Sequence, residues 1–514
     1  MTSIPPWRDY GPFVEKKMAI AKKVFFNTAV QIMGRVVMTI CSLILVMILT
    51  RYLGVAGYGQ YTTIFAFTGF FSTLADLGLY LITVREIAQR PNETSQIMGN
   101  VLGLRLTSAL LMIILAGLVG LILPYDPVIK WGIIIAMCSI FLMTLNQTMI
   151  AVFQANLRID KAVLGDILGR ITILGVSIYL VSRHFGLLPI VAVSVLGALL
   201  NLLLTFILSF YYWRVRPLFN FKLWKKILQE ALPLWIITIL GMVYFKIDTI
   251  LLSVLPLKVA QTNAFAVGIY GAPYKILEVL VTIPAMFAGA AFPILSSRAK
   301  EKDQALFQRA FSRSFEFMLL IVLPLSFCLF ILAPYLIEIL GGKDFASSIL
   351  ILQILTLTLV FIYLTSPLQH ALIAKGQQRR LVVRNIIAVF VNIILNLALI
   401  PYLAAKGAAI ATTITQGLIL VLTWQIIAQS QKGLQLKIRR LPQLISAVLI
   451  ICTLVYVIGK SGILHGLPLL PLVGIILLIA IAASIIYVIL LVWFKVLSFT
   501  NIREVLPSSW RELR

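Results

Sequence analysis

Long apolar runs, separated by short polar stretches, dominate this chain from end to end. A bilayer's hydrocarbon core takes about 20 apolar residues per helical crossing. Fourteen runs reach that scale, near residues 24–50, 59–83, 97–123, 128–154, 162–182, 187–213, 228–255, 264–295, 313–338, 346–373, 380–402, 407–428, 443–459 and 468–494. Each predicts a membrane-crossing α-helix, the run 264–295 being the least cleanly bounded. The connections are too short to house an extramembrane domain. The expected fold class is therefore all-α, a polytopic membrane protein of about fourteen helices.

Composition agrees with this pattern. Hydrophobic residues make up 61% of the 514 and charged residues only 12%, against roughly 45–50% and about 25% in soluble domains. A water-facing surface cannot be built from so few charges. The opening MTSIPPWRDYGPFVEKKMAIAKK is polar and basic, with no short apolar core or small-residue cleavage site, so the first apolar run is expected to be an uncleaved anchor. Cys41, Cys138, Cys328 and Cys452 all fall inside apolar runs and never in a CxxC pair, which reads as small buried hydrophobes. With three scattered histidines, neither a metal site nor a cofactor is indicated.

The net charge of +25 would point to nucleic acid in a soluble protein; here its distribution points elsewhere. With the N-terminus placed inside, the cytoplasmic segments hold thirty of the 43 Lys and Arg residues and the seven outer loops hold one each: Arg51, Lys130, Arg183, Lys258, Lys343, Lys406 and Lys460. The positive-inside rule then predicts both termini in the cytoplasm, with the basic excess facing anionic lipid headgroups rather than nucleic acid.

The chain also repeats itself. RYLGVAGYGQY (51–61) returns as AFAVGIYGAPY about 210 residues later, and the segment from AVFQANLRIDKAVLGD to SIYLV returns as HALIAKGQQRRLVVRN to ALIP, displaced by about 220. The nearly constant offset predicts two six-helix lobes entered from the same side, as in parallel-repeat transporters. The expected organisation is a basic cytoplasmic N-terminus (1–23), an N-lobe of helices 1–6 (24–213), a basic linker (214–227) and a C-lobe of helices 7–12 (228–428). A basic loop (429–442), two further helices (443–494) and a cytoplasmic tail (495–514) complete it.

GVAGYGQY, followed by Asp76-Leu-Gly-Leu and Val84-Arg-Glu-Ile-Ala-Gln, resembles the N-terminal signature of the bacterial polysaccharide (O-antigen) flippases of the multidrug/oligosaccharidyl-lipid/polysaccharide (MOP) superfamily. VGIYGAPYKILEVLVTIPAMFAGAAFPILS resembles the matching signature of the second lobe, and HALIAKGQQ with NLALIPYLAAKGAAIATTITQ the pattern of helices ten to twelve. The resemblance spans residues 24 to about 430. It implies a V-shaped pair of six-helix bundles that alternates between inward- and outward-open states. It further implies transport of undecaprenyl-diphosphate-linked oligosaccharide from the inner to the outer leaflet of a bacterial cytoplasmic membrane. The partners implied are that lipid-linked glycan, membrane lipids, a coupling proton or sodium ion, and the polysaccharide polymerase and chain-length machinery.

Charges inside the runs are the sharpest pointer to a site, because a charged side chain at mid-bilayer costs on the order of 2.5–3.5 kcal/mol on insertion scales. The basic ones are Arg35, Arg105, Arg170, Lys246, Lys275 and Arg384; the acidic ones are Asp76, Asp166, Asp248 and Glu278. Asp166 and Arg170 are i,i+4, and Lys275 and Glu278 are i,i+3, so each pair can neutralise itself on one helix face. Lys246 and Asp248, two residues apart, point to nearly opposite sides and need partners on other helices. Arg384, four residues from its expected helix start, is expected to snorkel to the headgroups. Arg35, Arg105, Lys246 and Lys275 are the candidate cations for a lipid diphosphate, since Arg forks match phosphate bidentately and Lys supplies a mobile point charge. Asp76, Asp248 and Glu278 are candidate coupling or bracing acids.

Several classes are excluded or set aside. A membrane glycosyltransferase or polymerase needs carboxylates on an aqueous loop; the chain has no DxD, HExxH or Walker A motif and no loop long enough to carry one, so no enzymatic activity is expected. A peptidoglycan-precursor flippase and a cation-coupled drug exporter of the same superfamily remain as alternatives. Prolines inside the runs (Pro233, Pro273, Pro284, Pro293, Pro324, Pro367) permit kinks, and Gly165-x-x-x-Gly169 predicts close helix packing.

Overall fold

The computed structural model describes residues 11–156, 158–210, 216–300, 304–430, 441–494 (apart from 462 and 465) and 496. Most of the basic loop (431–440), the cytoplasmic tail (from 497), residues 1–10 of the N-terminus and residues 214–215 of the linker lie outside the described residues. Among the described residues every regular element is a helix: α1 (Gly11–Asp76), α2 (Leu79–Gln89), α3 (Thr94–Ile122), α4 (Pro127–Ala155), α5 (Ile159–Ser182), α6 (Leu187–Phe210), α7 (Phe221–Val254), α8 (Asn263–Lys300), α9 (Gln304–Gly341), α10 (Ser348–Ala374), α11 (Gln378–Leu403), α12 (Ala405–Ser430), α13 (Leu441–Lys460) and α14 (Leu469–Trp493). Backbone groups in lipid have no water to bond, so each helix must satisfy its own N–H and C=O groups.

Among the described residues, twelve helices are long and apolar enough to cross a membrane. One of them, Phe26–Asp76, has 51 residues; unbroken, it would rise about 76 Å, far more than a bilayer needs. It is in fact two legs that meet at Gly54, whose φ of 66° and ψ of −175° interrupt the helix. The first two predicted runs occupy these legs. The second run is interrupted again where the sequence predicted continuity: Leu77 (φ 52°) and Gly78 (φ 68°) are left-handed, and the helix resumes as α2. The left-handed turn fits close against α7, for a Cβ on Gly78 would lie 3.1 Å from the Trp235 nitrogen and 3.2 Å from the Ala231 carbonyl oxygen. The seventh run lies on α7, which begins at Phe221 rather than at the expected 228. The Asn220 side chain accepts from the Lys222 and Leu223 nitrogens at 3.2 and 3.3 Å, an N-cap. Trp224, Ile227 and Ala231 then form a buried stripe. The prolines Pro324 and Pro367 sit inside continuous helices.

The chain forms two compact units, 1–48 with 63–242 and 49–62 with 243–514. In the first, Leu79, Ile82, Ile97, Met98, Val101, Leu104, Val152, Trp224 and Ile227 form the buried cluster that joins α2, α3, α4 and the start of α7. Glycines allow the remaining close approaches. A Cβ on Gly34 would clash with Val163, drawing α1 against α5, and one on Gly169 would lie 2.8 Å from the Gly197 carbonyl oxygen, drawing α5 against α6.

In the second unit, Leu332, Tyr335, Leu368, Leu372, Val448, Ile451, Ile476 and Ile479 pack α9, α10, α13 and α14 into one core. Tyr335 donates to the Gly459 carbonyl (2.7 Å) and Tyr487 to the Leu320 carbonyl (2.9 Å), fastening the last two helices to α9. Segment 49–62 is part of this unit. Thr50 and Arg51 donate to the carbonyls of Leu340 and of Glu338 and Ile339, at 2.5, 2.6 and 3.1 Å, placing hydrogen-bond donors and a positive charge at the negative end of α9. Beyond Gly54 the chain runs against α8 with almost no separation. A Cβ on Gly59 would coincide with the Ala264 carbonyl, and one on Gly268 with the Val55 carbonyl.

Overpacking a seam of this kind costs about 1–3 kcal/mol. Gly59→Ala is therefore expected to lower the unfolding midpoint of the purified protein, measured by scanning fluorimetry. Gly117→Ala, where an added Cβ meets nothing within 4 Å, should leave it unchanged; equal midpoints for the two variants would contradict the seam.

Candidate functional site

In the first unit the charges predicted within the membrane are arranged in three ways. Arg105, on α3, is only 1% exposed. One guanidinium nitrogen donates to Asp76 Oδ1 at 2.8 Å and another to the Thr144 carbonyl at 2.9 Å. Asp76 is the last residue of α1 before the left-handed Leu77–Gly78 turn, and Ser108 donates to the neighbouring Ala75 carbonyl at 2.9 Å. The helix break thus leaves an acid and carbonyls at a helix end, and α3 supplies the donors that satisfy them. Arg105 is engaged as a tie between helices α1, α3 and α4. Arg35, by contrast, lies exposed on α1, beside the buried Gly34.

The expected Asp166–Arg170 pair is not formed among the described residues. Asp166 Oδ1 accepts instead from Asn201 Nδ2 on α6, at 2.8 Å. Gly165 and Gly169 bring α6 so near that its amide reaches the short Asp side chain. Thr205 extends this polar line by donating to Asn146 on α4.

The second unit holds two arrangements on opposite faces of α7, as the two-residue separation of Lys246 and Asp248 predicts. On one face, Lys246 pairs with Glu278 Oε1, while Lys275, one turn before Glu278 on α8, pairs with Oε2 at 2.9 Å. The Lys246 ammonium also lies 5.8 Å from the Tyr274 ring centroid. These side chains are 26%, 33% and 27% exposed for Lys246, Lys275 and Glu278, so the cluster is open to a ligand and carries a net charge of +1.

On the other face, Asp248 is 1% exposed and bonds only neutral groups. Asn396 Nδ2 donates to Oδ1 at 2.6 Å, Tyr270 donates to Oδ2 at 3.1 Å, and Thr412 donates to the same oxygen. Asn396 also reaches Asn392, one turn earlier, at 2.9 and 3.1 Å, while its own Oδ1 is buried without a partner. Sequence reading had singled out Asp248 but missed Asn392, Asn396, Thr412 and Tyr270. The available signal was the i,i+4 pair of asparagines within an apolar run, which places two amides on one face of α11.

Arg384 departs from its expected snorkelling. It is 4% exposed, with bonds to Thr423 (2.8 Å) and Asn385 (2.6 Å) and a longer contact to Gln369 (3.5 Å). Neutral oxygens on three helices hold it in place of water. Among the described residues no group of three or more His, Cys, Asp or Glu is placed to hold a metal ion.

Comparison with known proteins adds to this geometry. The family model described as "Polysaccharide biosynthesis protein" matches residues 21–299, and the MatE model matches 233–398. The chain is 22% identical over 283 residues to the "Probable low-salt glycan biosynthesis flippase Agl15" of Haloferax volcanii, a match that covers 54% of this chain and 57% of that protein. The chain thus spans just over half of that curated relative. Its fold is similar to that of the "Lipid II flippase MurJ, inward closed conformation", with a TM-score of 0.72, 15% identity and coverage of 92% of this chain and 99% of the other. It is also similar to an inward-facing multidrug resistance MATE family transporter of the MOP superfamily, with a TM-score of 0.64, 14% identity and coverage of 77% and 96%.

Breaking a buried ion pair by removing one partner costs about 3–5 kcal/mol, less here because Asp76 is 30% exposed. Arg105→Ala should therefore lower the unfolding midpoint markedly, and adding Asp76→Ala should recover part of the loss. Arg35→Ala should stay within about 0.5 kcal/mol of wild type. A double-mutant cycle in scanning fluorimetry that shows no coupling would remove Arg105 and Asp76 from this structural role.

Proposed function

Since the chain belongs to the polysaccharide biosynthesis protein family, we propose that it is a flippase that carries an undecaprenyl-diphosphate-linked oligosaccharide from the cytoplasmic to the outer leaflet of a bacterial cytoplasmic membrane, by alternating access. The observation that carries this reading is the open cluster of Lys246, Lys275 and Glu278. Two ammonium groups converge at a half-buried position within apolar helices, where a dense anion such as a lipid diphosphate gains most from charge-assisted hydrogen bonds. A net positive site of this kind fits an anionic headgroup better than the cationic substrate of a drug exporter.

Asp248 supplies the coupling element in this reading. A buried carboxylate surrounded by hydroxyl and amide groups, with an unpartnered amide oxygen beside it, has the oxygen donors that a proton or a sodium ion needs. Binding there would link helices α7, α8, α11 and α12. The peptidoglycan-precursor alternative keeps one observation in its favour, the fold likeness across 92% of the chain to the lipid II flippase; it calls for the same cationic site.

The test is movement of a fluorescent undecaprenyl-diphosphate oligosaccharide across proteoliposomes that contain the full chain, with and without an imposed potential or sodium gradient. Each charge-assisted contact is worth about 1.5–3 kcal/mol, so Lys246→Ala with Lys275→Ala should slow movement about tenfold or more. Asp248→Asn should abolish the response to the gradient while leaving protein folded. No movement of any diphosphate-linked glycan, with transport of organic cations instead, would turn the assignment to a drug exporter.

Orientation has its own test. Membrane-impermeant thiol labelling of single cysteines, in a background lacking the native four, should reach Lys258→Cys from outside the cell and Lys432→Cys only after permeabilisation. The opposite pattern would invert the topology.

A further inference from the structure

Glu278 sits where an incoming phosphate would have to bind. Its two carboxylate oxygens are engaged one to each lysine, Oε1 by Lys246 from α7 and Oε2 by Lys275 from α8. This is the contact pattern that two non-bridging oxygens of a single phosphate would make with the same ammonium groups. Each member of the cluster is between a quarter and a third exposed, whereas in the Arg105–Asp76 pair the cation has only 1% of its surface open, although Asp76 is 30% exposed. A cation buried to that degree cannot be reached by a new anion, whereas the two partly exposed ammonium groups can exchange their partner.

We infer that Glu278 is a resident competitor for the substrate anion: it bridges Lys246 and Lys275 and offsets half of their charge when the site is empty, yields them to the diphosphate during binding, and reclaims them to drive release. The inference rests on the reading that these two lysines receive a lipid diphosphate. The physical need is plain. Two ammonium groups brought together in a low-dielectric span repel each other unless an anion lies between them, so the site always holds one. A diphosphate and the carboxylate cannot both remain there, because they repel in turn. A carrier, moreover, must bind its cargo firmly enough to capture it and loosely enough to let it go. Two lysines with no internal anion would satisfy only the first requirement. Glu278 reaches them from the same helix as Lys275, one turn on, so it can withdraw or return by side-chain rotation alone.

The role of Glu278 is one of positioning and exchange, and its signature is a split between affinity and turnover. The full chain in lipid nanodiscs would be titrated with farnesyl diphosphate by calorimetry, and the same variants would be assayed for flipping in proteoliposomes. Glu278→Gln removes the competing charge and should bind farnesyl diphosphate about tenfold more tightly, about 1.4 kcal/mol, while both KM and kcat for flipping fall. Glu278→Asp, too short to bridge both lysines, should show a smaller shift in the same direction and keeps the inference testable if the amide variant does not fold. Affinity equal to or weaker than wild type in the folded variants would overturn the role given to Glu278. The doubly substituted Lys246→Ala, Lys275→Ala protein separates the two levels. If it loses farnesyl diphosphate while the Glu278 variants bind no more tightly than wild type, only the exchange role falls. If it binds like wild type, the diphosphate site itself is misplaced, and the inference falls with it.

Discussion

A charge carried into hydrocarbon has to be met there by another group, and the answers to that demand connect the helices that matter most in this chain. Arg105 is met by an acid and a carbonyl, and so joins α3 to the end of α1 and to α4. Lys246 and Lys275 share a single carboxylate, which joins α7 to α8. Asp248 and Arg384 are met by neutral groups alone, the first by hydroxyl and amide donors, the second by hydroxyl and amide oxygens. A lone carboxylate held only by dipoles carries an unbalanced negative charge, whereas two lysines on one carboxylate keep one positive charge in excess.

Between those tethers, packing depends on small residues. Lipid tails are as apolar as leucine, so burying leucine between helices gains little; close van der Waals contact and buried polar bonds must supply the association. The glycines at 34, 59, 165, 169 and 268 serve this purpose, each replacing a side chain with the backbone or side chain of a neighbouring helix. The asparagine on α6 that takes Asp166 is a by-product of such an approach. Large apolar residues such as Leu110, Leu111, Ile114 and Leu118 on α3 are left exposed, as suits a face that meets lipid.

Much of this architecture was legible in the sequence because membrane crossing imposes a length and a polarity that single residues reveal. Where described, the apolar runs fall on helices, the second broken at Leu77–Gly78, and the spacing of Lys246 and Asp248 foretold that they would serve opposite faces. Partners across helices were not legible. Asp166 and Arg170 have ideal spacing for an ion pair, yet helical periodicity says nothing about a nearer amide on another helix. Arg384 lies close enough to a helix end for its depth to suggest snorkelling, but depth alone does not reveal the ring of neutral oxygens that Gln369, Asn385 and Thr423 supply. The break at Leu77–Gly78 was hidden for a related reason: Asp76-Leu-Gly-Leu reads as part of an apolar run, and the left-handed turn becomes favourable only against the backbone of α7.

The docking of residues 49–62 has a consequence for how independent the second unit can be. A gene divided between α6 and α7 would encode a shorter first polypeptide and a longer second one. The second would carry α8 with Gly268 facing an empty groove, and α9 ending in carbonyls that Thr50 and Arg51 no longer reach. The part of the chain after α6 is therefore not the whole of the second compact unit. The earlier half lends the later one fourteen residues, and only the continuous chain, or both fragments reassociated, completes it.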